Sequence, residues 1–396
     1  EPGSAQVVLP HGEFGSLRVA ISPASRWLVT GTVHETHLWD LGGAGPLTTS
    51  TVLRGHEASV TAMTISPDSH WLATGSEDKT VRLWDLRAED PACSSIILGT
   101  HEDPATTAVI SPDSRWLMTV GWESPGRLWD LSARDPARAA IALPELGDPV
   151  SSVAFSRNSR WLVTLGRSKT PRLWDLRAMA PGSAATPLMK GNEPILSAAI
   201  TVDNRWLVTV GEDSTKRLWS LNAEDPSSAS IARKGHETSI QTLAVSPDNR
   251  WLVTVSEDFV TRLWDLSADE SGDASTVLLQ AQGFISSVAI TPDSRWLVLA
   301  SGDNGIRLWN LTSESPGRSE VIVGEQMSLV HDVIVSPDSR WLATANADGT
   351  ACLWDLGAKD LAGASIVLRG HRSPISAVAI SPDSRWLVTG SEDKTA

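Results

Sequence analysis

At 396 residues the chain exceeds the roughly 250–300 at which one compact core stops growing, a limit that an array of repeated units escapes. Its formal charge of −14 disfavours nonspecific binding to nucleic acid or acidic membranes, which needs a basic face. No run approaches the ~18 apolar residues of a membrane helix, and Cys93 and Cys352 stand far apart without metal-ligand neighbours, so neither a zinc site nor a disulfide scaffold is indicated.

The start, EPGSAQVVLP, lacks the basic segment and apolar core of a signal peptide, and the expected location is cytoplasmic. Gln6–Leu9 is a first short β-prone run. From there the tryptophans keep time. Trp27, Trp71, Trp116, Trp161, Trp206, Trp251, Trp296, Trp341 and Trp386 each follow Arg or His, 45 residues apart after a first step of 44. Trp39, Trp84, Trp129, Trp174, Trp219, Trp264, Trp309 and Trp354 are spaced by 45 throughout. Residues 65–81 and 380–396 are identical at 14 of 17 positions. Such a period marks one supersecondary unit repeated along the chain.

The second unit shows the grammar of the others. Thr51–Leu53 is a short strand, punctuated by Gly55-His56, and Val60–Ile65 is the next. Ser66-Pro67-Asp68-Ser69 is a turn in which Pro sets φ and the Asp and Ser side chains bond their own backbone. Trp71–Gly75 and Val81–Leu86 are two further strands around the tight turn Glu77-Asp78-Lys79-Thr80. An Ala/Pro/Ser/acidic connector, Arg87–Ser95, leads into the next unit. Four short strands per unit with evenly spaced turns predict an all-β array of antiparallel blades without helices.

Gly55-His56 with Trp84-Asp85, and Gly235-His236 with Trp264-Asp265, carry the Gly-His…Trp-Asp signature, and the chain resembles the WD-repeat β-propeller family over its whole length. The resemblance implies a single toroidal domain, residues 1–396, in which each unit gives the outer strand of one blade and the three inner strands of the next. It also implies a hydrogen-bonded His, Ser/Thr, Asp and Trp network inside a blade. His56, Thr74, Asp78 and Trp84 match it, as do His236, Thr254, Asp258 and Trp264; His101, Thr119, Glu123 and Trp129 match with Glu for Asp. Leu146, Ser168, Gly191, Ala281 and Gln326 break the pattern in units four, five, seven and eight, whose blades are expected to rely on apolar packing. The closeness of the units resembles bacterial members fused to signalling or NTPase domains.

The inner two strands occur nine times and the Trp-Asp strand eight times. Nine blades with an incomplete ninth is the expectation; eight blades with surplus terminal strands is the alternative. An unpaired edge is a template for another chain, so self-association through the ninth blade is a further expectation.

His56, Thr74 and Asp78 are the residue types of a nucleophilic triad, but a catalytic site has no reason to recur in several blades, and nothing supplies an oxyanion hole. The acid pairs Glu77-Asp78, Glu212-Asp213, Glu257-Asp258 and Glu392-Asp393 read as a capping Asp beside a solvated Glu rather than calcium ligands. Arg82, Arg127, Arg172, Arg217, Arg262 and Arg307 are expected to lie along their blades and pair locally instead of forming an anion-binding ring. No nucleotide-binding glycine loop is present. No cofactor, metal or catalytic activity is expected.

The informative positions break the repeat. By family analogy, the loop after Gly-His and the Glu-Asp turn share the partner-binding face. Trp122 stands at the Glu77 position, Phe259 at that of Lys79, Phe284 at that of Ser59, and Phe14 in the first unit's equivalent loop. Phe259 and Phe284 lie in adjacent units, within reach of contact. Arg167, at the Glu77 position of unit four, and His331, at the Thr61 position of unit eight, add polar specificity. Phe155 replaces Ile65 and belongs to the core. Exposed aromatics in tight polar turns gain little for folding and anchor interfaces. The competing explanation is drift, with side chains folded onto the rim. The expected function is a non-catalytic scaffold or sensor platform for a protein or peptide; a self-assembling structural role or a propeller enzyme are the alternatives.

Overall fold

The computed structural model describes residues 9, 18–31, 35–42, 50–123, 126–143, 150–166, 171–178, 185–188, 194–267, 275–281, 283–302, 305–324, 328–361, 363, 365–393 and 395. Among them are eight four-stranded antiparallel sheets and one two-stranded sheet. The first blade comprises Arg18–Ile21, Trp27–Gly31, Thr36–Asp40 and Thr51–Leu53, and the second Val60–Ile65, Trp71–Ser76, Thr80–Asp85 and Ile96–Thr100. Thr51–Leu53 thus belongs to the preceding blade, the offset that the resemblance implies. Six more complete blades start at Ala105–Ile110, Val150–Phe155, Ile195–Ile200, Ile240–Val245, Ile285–Ile290 and Val330–Val335.

Eight blades are therefore whole, the count of the alternative reading. The two-stranded sheet, Ile375–Ile380 with Leu387–Ser391, stands in the ring between the eighth and the first, since Ile375–Ile380 contacts both Val330–Val335 and Arg18–Ile21.

Each blade interface is apolar and built the same way. The Leu and Trp of a third strand, such as Leu83 and Trp84, are fully buried. Leu53 of the first blade packs with Val29, Leu38, Leu72 and Trp84, so an outer strand bridges its own blade and the next. Leu9 repeats this with Leu28 and Trp39, with Val388 of the ninth sheet packed against them. Phe155 joins the core formed around Met118, Leu128, Leu162 and Trp174.

One detail differs from expectation. In the Ser-Pro-Asp-Ser turn the first Ser bonds its own backbone, Ser66 Oγ accepting the Trp71 N–H at 2.8 Å, but the second Ser does not. It sits at positive φ and its hydroxyl accepts a backbone N–H from the turn of the adjacent blade. Ser69 accepts from Ala24 N–H at 2.9 Å, Ser114 from Asp68 at 3.0 Å, Ser159 from Asp113 at 3.0 Å and Asn204 from Asn158 at 3.0 Å. Asn249, Ser294, Ser339 and Ser384 continue the series. Ser25 then accepts from Asp383 N–H at 3.0 Å, across 358 residues of sequence. Nine such bonds close a ring at one end of the disc. The side chain that fits the turn, Ser or Asn at φ of 53–62°, also ties neighbouring blades together. The aspartate does bond locally, as expected: Asp68 Oδ1 accepts from Ser66 Oγ at 2.6 Å and from His70 N–H.

The connectors also form single 3₁₀ turns, Pro91–Cys93, Pro136–Arg138 and Pro316–Arg318, each with proline at its start. No helix among the described residues is long and apolar enough to cross a membrane.

Candidate interaction site

In the second blade the expected network is complete. His56 Nδ1 lies 2.9 Å from Asp78 Oδ2 and His56 Nε2 2.8 Å from Thr74 Oγ1, while Trp84 Nε1–H donates to Thr74 Oγ1 at 3.0 Å. With Nδ1–H donating to the carboxylate, Nε2 takes the Thr74 proton, a tautomer fixed by the network. Burial opposes ionisation of Asp78. Bonds from the Thr80 hydroxyl, the Glu57 and Thr80 N–H groups and His56 outweigh it and hold the carboxyl down to about 2. Thr74 is fully buried with its hydroxyl engaged on both sides, out of reach of a substrate.

The other two matches are partial. In the third blade, His101 Nε2 and Trp129 Nε1 meet Thr119 Oγ1 at 3.0 and 2.9 Å. Asp103 rather than Glu123 supplies the nearby negative charge, and its carboxylate accepts the Glu123 N–H. In the sixth blade, His236 Nε2 and Trp264 Nε1 meet Thr254 Oγ1 at 2.7 and 2.8 Å, but Asp258 does not reach the imidazole, whose Nδ1 is buried without a partner. Asp258 instead accepts from Ser256 Oγ at 2.5 Å. One difference lies two residues on: Thr80 Oγ1 pins Asp78 at 2.6 Å in the second blade, whereas the sixth has Val260 there, and Asp258 Oδ1 takes its bonds from Ser256 Oγ and the Val260 N–H. Burial, with Arg127 and Arg262 respectively, pushes His101 and His236 down to about 4, so both are neutral at pH 7.

A complete His–Thr–Asp arrangement that sequence reasoning passed over lies in the ninth sheet. His371 Nδ1 is 3.1 Å from Asp393 and its Nε2 2.9 Å from Thr389 Oγ1, with Thr395 Oγ1 pinning Asp393 at 2.6 Å. The signal was available in Gly370-His371 and the Ser391-to-Thr395 phrase.

The blades without His are less purely apolar than expected. The fourth and fifth keep the indole bond, Trp174 to Thr164 and Trp219 to Thr209, both at 2.9 Å. The fifth adds an Arg217–Asp213 ion pair at 2.5 Å, and Lys216 Nζ sits 3.4 Å from the Trp264 ring centroid. Leu146, Ser168, Gly191 and Gln326 lie outside the described residues; Ala281 is buried. In the seventh blade Leu299 replaces the threonine and leaves Trp309 Nε1 buried without a partner.

Four of the six arginines before Leu-Trp are seen to pair locally: Arg82 with Ser95 Oγ at 2.9 Å, Arg262 with Ser275 Oγ at 3.0 Å, Arg307 with Glu320 at 2.9 Å and Arg217 with Asp213. Those before the strand-opening tryptophans have a second task. Arg26, Arg115, Arg160, Arg250 and Arg340 stack on that tryptophan and hold the Asp of their blade's Trp-Asp, with N–O distances of 2.9–3.3 Å.

The off-pattern loops share the end of the disc opposite the Ser/Asn ring. The Gly-His loop and the Glu-Asp turn are bonded to one another there, for example through His101 N–H to Lys79 O at 2.8 Å. Trp122, its N–H on Pro104 O at 3.0 Å, is 59% exposed, and Phe284 is 49% exposed. Phe259, half-buried, holds φ 61°, where a bulky residue is an outlier; its C=O accepts from Ala281 N–H at 3.2 Å. No ring contact joins Phe259 to Phe284. Trp122 belongs to the third blade, whereas Phe259 and Phe284 flank the sixth and seventh. Phe14 and Arg167 lie outside the described residues.

His331 is turned to the frame: its Nδ1 meets Ile375 O of the ninth sheet at 3.1 Å, the interblade link that Thr61 makes to Ala105 O in the second blade. Sequence reasoning missed Gly302, which stands at the Glu77 position beside Phe284. A Cβ there would lie 2.9 Å from Phe284 Cε1, so the two departures from the repeat fit one another.

Among the described residues no three His, Cys, Asp or Glu side chains converge as a metal site. A cleft lined by Arg115, Trp116, Asp130, Asn158 and Arg177 lies at the opposite end and is made of frame residues.

The family model described as WD domain, G-beta repeat, matches residues 47–85, 145–175, 229–265, 275–310, 319–355 and 364–396, together more than half of the chain. The chain belongs to the WD-repeat family. Comparison with curated proteins finds no match. WD-repeat propellers generally mediate protein–protein interaction, and the blades the family model leaves unmatched here, such as the third, have the same four-stranded order as the rest.

Proposed function

We propose that this WD-repeat chain is a non-catalytic interaction platform, a scaffold or sensor domain within a larger signalling protein, that holds a protein or peptide on its Gly-His end. The observation that carries this is the exposure of Trp122 and Phe284, 59% and 49%; Trp122 stands where Glu is the commonest residue of the repeat, and Phe284 where units two to nine otherwise have Ser, Pro or Leu. Both loops are fixed by backbone bonds, Trp122 N–H to Pro104 O and Gly302 N–H to Phe284 O at 2.7 Å, so little ordering entropy is lost on binding. Phe259 keeps the positive φ that its turn also has at Lys79 and Ser214, φ 70° and 61°, so only its aromatic side chain departs from the repeat.

The test is the triple variant Trp122→Ser, Phe259→Ser, Phe284→Ser. It keeps the wild-type circular dichroism spectrum and loses capture of the partner from cell extract. Capture at the wild-type level defeats the proposal.

A further inference from the structure

The cleft between the third and fourth blades, at the Ser/Asn end, has a volume of about 600 Å³, within the roughly 300–1,000 Å³ of small-molecule sites. Two departures from the repeat meet there. The Ser-Pro-Asp-Ser turn, whose Asp stands in seven of the nine units, reads Ser156-Arg157-Asn158-Ser159 in the fourth. Arg177, just past that unit's Trp-Asp-Leu, has an arginine counterpart only in Arg87; the other units carry Gly, Ser, Asn or Thr. In the second blade the arginine is satisfied, since Arg87 Nη2 donates to Asp68 O at 2.9 Å and to its carboxylate at 3.3 Å. In the fourth that carboxylate is missing, and the exposed Arg177 makes no ion pair among the described residues. Asn158 Oδ1 accepts from Ser156 Oγ at 2.7 Å and from Arg160 N–H at 3.1 Å, which leaves its Nδ2 hydrogens to donate elsewhere. The acids of the cleft are already engaged. Asp113 Oδ1 accepts from Ser111 Oγ at 2.5 Å and Arg115 N–H at 3.1 Å, and Asp130 Oδ2 accepts from Arg115 Nη2 at 2.9 Å. Trp116, Ile141 and Leu176 supply apolar lining.

We infer that this cleft binds a small organic carboxylate, its charged end on Arg177 and Asn158 and its apolar body against Ile141, Leu176 and Trp116. The planar guanidinium offers two parallel N–H donors that match a carboxylate, and the Asn158 amide adds a third. Asp113 and Asp130 keep negative charge in the walls, which disfavours a doubly charged phosphate and leaves a monoanion as the better ligand. No other unit combines the lost carboxylate with the added arginine, so the repeat supplies one such site and not nine. The site lies at the end of the disc away from Trp122 and Phe284 and does not depend on what binds there.

The experiment is calorimetric titration of the 396-residue chain with hydrocinnamate and, separately, with its neutral amide. The carboxylate binds saturably, one to one, and the amide about 10-fold more weakly, the scale of a hydrogen bond to a charged group. Arg177→Ala costs the carboxylate about the same factor and leaves the amide's affinity unchanged. Asn158→Asp is the second probe. It installs the residue that seven other turns carry, so the fold is kept, and it pairs Arg177 as Asp68 pairs Arg87. Carboxylate binding then falls about 10-fold or more, from the lost donor and the added like charge. Arg87→Ala, the same change at the satisfied site, has no effect. The inference is overturned if hydrocinnamate does not saturate, if the amide binds as tightly, if Arg177→Ala or Asn158→Asp binds as the wild type does, or if Arg87→Ala loses as much.

Discussion

Thr74→Val tests the hydrogen-bond hub of the second blade with almost no change in shape. The hydroxyl engages His56 Nε2 at 2.8 Å and Trp84 Nε1 at 3.0 Å, and both partners are buried from water by the blade. Removing it orphans two polar groups at about 1–3 kcal/mol each, and the added methyl recovers part of that, so about 2–5 kcal/mol is expected. Because a repeat communicates chiefly with its neighbours, the loss is local. It is read by native-state hydrogen exchange of Trp71–Ser76 and Thr80–Asp85, where protected amides exchange about 30-fold faster or more. The sixth blade, with its own Thr254 hub, is unchanged, and Thr74→Ser restores protection. An acceleration under about 3-fold refutes the hub, because it means that the imidazole and indole find other partners at no cost.

Three further outcomes follow from the same chemistry. Leu299→Thr gives the buried Trp309 indole an acceptor and raises stability of the seventh blade by about 1 kcal/mol, measured by urea denaturation; a loss means the smaller volume dominates. Val260→Thr pins Asp258 toward His236, and the histidine's pKa, followed by NMR, rises from about 4 as its Nδ1 gains a carboxylate; an unmoved value contradicts the pinning argument. Neutral, buried His101 and His236 have folded pKa values below the ordinary 6.5, so the unfolded chain binds more protons between those limits. Stability is therefore full above pH 6.5 and falls toward pH 4 by about 3 kcal/mol per histidine before levelling, and a flat denaturation profile over that window contradicts it.

The frame was open to reading because period and turn chemistry agree. Thr51–Leu53 and Val60–Ile65 have the predicted bounds, and the network residues meet as their types require in the second blade. What a 45-residue period conceals is whether a bond stays within a copy or passes to the next. Ser69 looks the same either way, and only the ring geometry turns its hydroxyl to Ala24. Equal residue types also took different partners: Asp78 is bonded by Thr80 Oγ1, whereas Asp258, with Val260 at that position, is bonded by Ser256 Oγ. At the candidate site the aromatics were visible as departures from the phrase, while the seating of Phe284 over Gly302 depends on approach distances that sequence does not contain.

The most direct test of the platform reading is a hydrogen-exchange footprint of the chain with its captured partner bound. Protection is predicted around residues 119–123, 256–260 and 283–287, with none at the Ser/Asn ring, residues 66–70 and their equivalents. Protection confined to that ring end contradicts the account.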